Sequence, residues 1–60
     1  MENADRILIS EQQYQPGKRV RIWRQPDGRY LVENLTPTGS TSILCDSEQE
    51  ADLRRIRIQA

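Results

Sequence analysis

The side chains best suited to bind a ligand form one basic and aromatic segment near the middle of the chain. In this segment Arg19, Arg21 and Trp23 alternate with Val20 and Ile22. Such alternation is typical of a strand with one buried face, so the arginines and the indole are expected to share the solvent face. Guanidinium groups bind phosphate and an indole stacks on bases. The segment predicts contact with nucleic acid through six residues: Lys18, Arg19, Arg21, Trp23, Arg24 and Arg29.

The rest of the sequence offers little for catalysis or metal binding. It contains no histidine and one cysteine, Cys45, so it lacks the usual general base and cannot form an internal disulfide. We expect Cys45, in an apolar stretch, to be a small core residue rather than a nucleophile. The acids Asp46, Glu48, Glu50 and Asp52 lack the glycine and terminal glutamate of a calcium loop, so we expect them to be solvated acids at a helix start. We predict a protein that is not an enzyme, with no catalytic residue, no metal site and no cofactor.

Length and charge limit the class of protein further. Sixty residues form a single domain, 1–60, and a domain of this size buries only about 60% of the surface that its unfolded chain exposes. Nine basic residues balance nine acidic ones, but the basic residues cluster at 18–29 and the acids at 46–52. No apolar run is long enough to span a bilayer, and the first residues do not resemble a signal peptide. We therefore expect a cytoplasmic protein without membrane contact.

Turn-forming residues divide the chain into short elements. Pro16-Gly17, Pro26-Asp27-Gly28 and Pro37-Thr38-Gly39-Ser40 are the three clear turn signals. They separate the following predicted elements: a strand at 6–10, a connector at 11–15, hairpin arms at 18–24 and 29–36, and a strand at 41–46. Residues 1–5 are expected to be frayed.

The apolar pattern of the C-terminal segment predicts a short helical turn and then a strand. Ser47-Glu48-Gln49-Glu50 has the spacing of a capping box, so a helix is expected to begin near Ser47. At 100° per residue, however, Ala51 and Ile58 point one way while Leu53 and Ile56 point nearly the opposite way. Because no single apolar stripe forms, we predict one helical turn at 48–53 and a final strand at 54–58, in which arginines and isoleucines alternate.

The order of these elements predicts a mainly β protein. A sheet this small would leave open edges that invite aggregation, which favours a closed barrel. In such a barrel Trp23 and Tyr30 are expected to pair across the hairpin, and Tyr14 is expected to plug the core.

Four segments, one of them Ile43-Leu44, carry a resemblance to the SH3-like small barrels of bacteria. Pro16–Ile22 resembles the first strand of that family, Asp27–Val32 its second strand, and Leu53–Ile56 the turn after its last hairpin. The resemblance implies a five-stranded barrel over about residues 14–58, with one short helical turn before the last strand.

One branch of these barrels, the plasmid-borne trimethoprim-resistant dihydrofolate reductases, shares two further segments. Its G-x-R-V-R segment resembles Gly17–Arg21, and its N-L-T-P-x-G segment resembles Asn34–Gly39. The V-Q-I-Y active-site strand of that family has no counterpart near Ser42–Cys45, so folate reduction is not expected.

The sequence leaves two binding functions open. The first is contact with the backbone of DNA or RNA through the basic hairpin. The second is a protein-interaction function, in which the hairpin meets an acidic protein partner or the acidic 46–52 segment of another copy in a homo-oligomer. An enzyme assembled at the pore of an oligomer, as the reductase resemblance would imply, is the least favoured alternative.

Overall fold

The computed structural model describes residues 6–60 and contains one antiparallel sheet followed by one helix. In chain order the elements are β1 (Ile7–Gln15), β2 (Lys18–Arg24), β3 (Tyr30–Thr36), β4 (Gly39–Cys45) and α1 (Glu48–Gln59). The strands have the same order in the sheet as in the chain, so the sheet is a meander. The predicted mainly β class is confirmed. The fraying expected for residues 1–5 lies outside the described residues.

The sheet is open, and the predicted closed barrel of five strands is wrong. Within residues 6–60, β1 and β4 form the two edges and do not pair with each other. The strand predicted at 54–58 is instead the second half of α1. Because α1 contacts β2, β3 and β4, a helix rather than barrel closure covers one apolar face of the sheet.

The core lies between the sheet and the helix. Five residues are at most 2% exposed and form one cluster: Val20, Ile22, Val32, Cys45 and Ala51. Tyr14, Tyr30 and Ile58 pack against this cluster, and the Tyr14 hydroxyl donates a hydrogen bond to Asn34 Oδ1 at 2.8 Å. We call the sheet face that packs on α1 the inner face and the opposite one the outer face. The predictions that Cys45 is a core residue and that Val20 and Ile22 face inward are confirmed.

The turns between the strands form where glycines predicted them. Gly17 has a φ of 78° and Gly28 a φ of 91°, values in the left-handed region that glycine adopts without strain. The Gly28 N–H donates to the Gln25 carbonyl at 3.0 Å, and the Arg29 N–H donates to the Asp27 carboxylate at 3.0 Å. These bonds fix the connection between β2 and β3, and with it the register of the two strands.

This register separates the two aromatic residues expected to pair. Trp23 lies opposite Leu31, and Arg24 lies opposite Tyr30. A step of one residue along a strand reverses the face on which a side chain lies. Trp23 is therefore on the outer face and Tyr30 on the inner face, and the predicted Trp23–Tyr30 pair is wrong.

The first strand is longer than the sequence predicted. Residues 11–15, expected to be a connector, continue β1 and pair with β2, with Glu11 opposite Arg21 and Gln13 opposite Arg19. The register shifts between Leu8 and Ser10 and again between Gln13 and Gln15. Such irregularities are common on edge strands, where they discourage pairing with another sheet.

The helix begins where predicted and extends further. The Ser47 hydroxyl accepts a hydrogen bond from the Glu50 N–H at 3.2 Å, which is the expected N-cap. The helix then continues to Gln59, and its 12 residues make it too short to cross a membrane; residues 6–60 contain no helix that could. Ala51 is buried on the sheet, whereas Leu53 is 59% exposed.

Candidate nucleic-acid interface

The outer face of the sheet presents alternate side chains of all four strands, and no other element of residues 6–60 lies across it. Cross-strand pairing arranges these side chains in rows. One row, which we call the apolar row, consists of Leu8, Trp23, Leu31 and Leu44. The next, which we call the charged row, consists of Glu11, Arg21, Glu33 and Ser42. A third row contains Gln13, Arg19, Leu35 and Ser40.

Trp23 is the aromatic residue of the apolar row. Its Nε1 donates a hydrogen bond to Glu33 Oε1 at 3.1 Å, which fixes the edge of the indole. The guanidinium carbon of Arg6 lies 5.3 Å from the ring centroid, within the range of a cation–π interaction. Leu8 and Leu44 are each 44% exposed. The ring therefore lies in an accessible apolar strip with a cation over it.

Glu11 of the charged row holds two arginines in defined positions: Arg21 of the same row and Arg19 of the third row. Glu11 Oε2 accepts from Arg21 Nε at 3.0 Å and from Arg19 Nη1 at 3.3 Å. The hydrogen bond from Arg21, followed by the positive charges of both arginines, lowers the pKa of Glu11 below its ordinary value of 4.5. The side chain of Arg19 is 53% exposed and that of Arg21 is 31% exposed. Since a guanidinium has five N–H donors, both retain donors for a further anion.

The other three predicted site residues do not lie with this cluster. Lys18 and Arg24 occupy the two ends of β2, at positions whose strand periodicity assigns them to the inner face. Arg29 lies in the loop after β2, where its Nε is 3.9 Å from Asp27 Oδ2 and 4.0 Å from Asp46 Oδ1. The structure thus brings together Arg19, Arg21 and Trp23 and separates them from the other three.

Sequence reasoning missed the neighbours that complete the surroundings of Trp23. The sequence identifies Leu31 and Leu44 only as apolar strand residues and Arg6 only as the start of a short strand. The alternation of Leu31 with the buried Val32, and of Leu44 with the buried Cys45, carried the signal for an outer-face position. The signal becomes decisive only when the cross-strand register is known, because register places both leucines in one row with Trp23.

The acidic segment lies at the start of α1, away from the charged row. Glu48 and Glu50 are in the first turn of the helix, and the Glu50 side chain accepts from the Asp46 N–H at 3.3 Å. In residues 6–60 no group of three or more histidine, cysteine, aspartate or glutamate side chains could hold a metal ion.

Comparison of the chain with protein-family models, with curated proteins and with solved structures gave no significant match. The resemblance to SH3-like small barrels accordingly stays a prediction.

Proposed function

We propose that the protein is a non-enzymatic binding module that takes single-stranded nucleic acid on the outer face of its sheet. The observation that carries the proposal is the placement of Trp23, Arg19 and Arg21 on one uncovered sheet face. Modules that bind single strands combine a stacking platform with cations that follow the backbone. DNA and RNA offer the same bases and phosphates to such a face, so the proposal covers both.

A base would stack on the indole of Trp23 in place of Arg6. A cation–π interaction contributes about 0.5–1 kcal/mol at exposed sites and about 2 kcal/mol or more where it is desolvated, and stacking of a base on an aromatic side chain contributes about 1–3 kcal/mol. The Nε of Arg6 is buried without a hydrogen-bond partner, so displacement by a base also lets this group regain a hydrogen bond, which favours the exchange. The displaced guanidinium of Arg6, still attached beside the apolar row, is then free to bind an adjacent phosphate.

Arg19 and Arg21 would bind the phosphates. Their ion pairs with Glu11 are open to solvent, and exposed pairs of this kind are weak and screened by salt. A phosphate offers the paired hydrogen bonds that guanidinium groups favour. With three arginines engaged, the logarithm of the affinity is expected to fall with the logarithm of the salt concentration with a slope of roughly −2. Because the formal net charge of the chain is +0, no strong long-range attraction adds to these contacts.

The proposal is tested by the binding of a fluorescently labelled oligothymidylate of about 12 nucleotides, followed by anisotropy at low salt. We expect Trp23→Leu to weaken binding roughly tenfold, because it removes the stacking platform. The double variant Arg19→Gln with Arg21→Gln is expected to lower both the affinity and the salt slope. Far-UV circular dichroism confirms that each variant is folded.

A matched control variant loses the same amount of positive charge as the Arg19→Gln, Arg21→Gln double variant, but at other positions. Arg24→Gln with Arg29→Gln removes the same two charges from the predicted residues that lie away from the outer face. We expect this control to bind nearly as well as the unmodified protein. Equal losses in the two double variants would contradict a site on the outer face, and no binding by the unmodified protein would contradict the proposed function altogether.

A further inference from the structure

The helix α1 carries two apolar stripes, and only one of them is covered within residues 6–60. Ala51 is buried and Ile58 packs on the core. On the opposite side Leu53 is 59% exposed and Ile56 is 53% exposed. A helix that is apolar on both sides is usually covered on both sides. The stripe of Leu53 and Ile56 therefore has the character of a contact surface.

The spacing of this stripe is that of a short coiled-coil seam. Gln49, Leu53, Ile56 and Ala60 follow one another at intervals of four, three and four residues, as do alternating d and a positions of a heptad. Gln49 and Ile56 then occupy the d positions of the heptad, and Leu53 and Ala60 occupy the positions labelled a. In an antiparallel pair of such helices, each residue at position a lies level with a residue at position d of the other helix. Leu53 would then pack against Ile56 of a second copy, and Gln49 would lie level with its Ala60.

In the same antiparallel arrangement, charged side chains beside the seam of one copy face side chains of opposite charge in the other copy. Glu50 and Arg57 are seven residues apart and line one shallow groove together with Leu53, Arg54 and Ile56. Residues seven apart share a heptad position, and in antiparallel helices each flanking position faces its own equivalent. Measured along the helix axis, Glu50 of each copy is therefore offset by only about 3 Å from Arg57 of the other copy. Two opposite-charge pairs result, one on each side of a two-fold axis.

We propose that two copies of the chain associate through this stripe, with their α1 helices antiparallel about a two-fold axis. The pairing buries Leu53 and Ile56 and places Glu50 of each copy beside Arg57 of the other. Antiparallel helix dipoles further favour the arrangement. A helix of 12 residues is only about 18 Å long, so the contact is small and the dimer should be weak and dependent on concentration.

This surface lies on the opposite side of the molecule from the outer face. Pairing through α1 leaves Trp23 and its arginines accessible, so the dimer does not depend on the proposed binding of nucleic acid. The failure of either proposal leaves the other standing.

The test is the molecular mass in solution, measured by light scattering or sedimentation over a wide range of concentrations. The unmodified protein is expected to move from 7.0 kDa toward twice that mass as its concentration rises. Leu53→Lys, Glu50→Arg and Arg57→Glu are each expected to keep the protein monomeric. The double variant Glu50→Arg with Arg57→Glu exchanges the charges and is expected to restore dimerisation.

The charge exchange separates an effect on the interface from damage to the helix. The double variant carries both substitutions, so its helix should be less stable than that of either single variant, and damage alone would therefore reduce association further. Restored association in that variant supports the antiparallel pair. A matched control, Glu48→Gln, changes a charge of the same helix that does not line this groove and should leave the mass curve unchanged. An unmodified protein that is monomeric at all concentrations, or single variants that still dimerise, would overturn the proposal.

Discussion

Glu11 restrains the two arginines that the outer face offers to phosphate. Its carboxylate accepts from Arg21 at 3.0 Å and from Arg19 at 3.3 Å, so bound nucleic acid has to compete with it. We expect Glu11→Gln to raise the affinity for an oligonucleotide roughly twofold to fivefold at low salt, because exposed ion pairs are weak. Glu48→Gln, which removes a negative charge from the helix start, is the matched control and should change the affinity much less. A lower affinity for Glu11→Gln would contradict the competition.

The same carboxylate makes stability depend on pH. The folded state lowers the pKa of Glu11 below 4.5, chiefly through the hydrogen bond from Arg21. The ion pairs therefore stabilise the fold at pH values above 4.5, and this contribution is lost as the pH falls through the lowered pKa. Measured by urea unfolding, the free energy of unfolding should be higher for the unmodified protein than for Glu11→Gln at neutral pH, and this difference should shrink in acid. A difference in the free energy of unfolding that grows as the pH falls would contradict stabilisation by the ionised carboxylate.

Cys45 should be an unreactive thiol in the folded protein. It is 1% exposed, and burial, reinforced by the nearby Glu50, raises the pKa of its thiol above 9.0. Since the thiolate is the reactive form, both access and ionisation are reduced. A disulfide reagent such as dithionitrobenzoate should modify Cys45 slowly at pH 8 and rapidly in denaturant. Equal rates in the two conditions would show that the β4 end of the core is open.

At the scale of elements, the sequence predicted those strands in which one buried face imposes a period of two. The bounds of β2 were predicted correctly, and β3 was predicted one residue too long. Both strands were found because the buried Val20, Ile22 and Val32 alternate with side chains of the opposite face and because glycine turns precede the strands. The second half of β1 was missed because Glu11, Gln12 and Gln13 carry no apolar signal. Its backbone pairs with β2, and Glu11 bridges to the arginines.

The end of α1 was mispredicted for a different reason. A helix that packs on a sheet usually has one apolar stripe, whereas this segment has two. At 100° per residue Leu53 and Ile56 lie opposite Ala51 and Ile58, as they do in the structure, but two opposite stripes favour a strand under that expectation. Such a pattern also fits a helix with two contact surfaces, and one sequence by itself does not distinguish that case from a strand.

The N-cap of α1 provides a direct test of this element. The Ser47 hydroxyl satisfies the Glu50 N–H at 3.2 Å. Ser47→Ala should therefore lower the free energy of unfolding by about 1 kcal/mol, with a smaller helical signal near the transition. Ser42→Ala, on the exposed face of β4, is the matched control and should have little effect. An unchanged stability for Ser47→Ala would contradict the capped helix.

At the scale of the whole molecule, the two layers separate the two proposed surfaces. The helix covers the inner face, so its exposed stripe points away from the sheet on one side while Trp23 lies on the other. Local periodicity predicted that Arg19, Arg21 and Trp23 share a face. It could not predict that Leu8, Leu31 and Leu44 lie in one row with Trp23, because that row is set by the register between strands. Local periodicity also could not predict that Lys18, Arg24 and Arg29 lie apart from Arg19, Arg21 and Trp23.

The most direct measurement of the central claim uses the intrinsic fluorescence of Trp23, which is the one tryptophan in the chain. Every change in tryptophan emission therefore reports on the outer face. Titration with unlabelled oligothymidylate at low salt should quench the emission to saturation, and added salt should reverse the quenching as counterions return to the phosphates. Unchanged emission at oligonucleotide concentrations well above those of the protein would contradict binding of nucleic acid on this face.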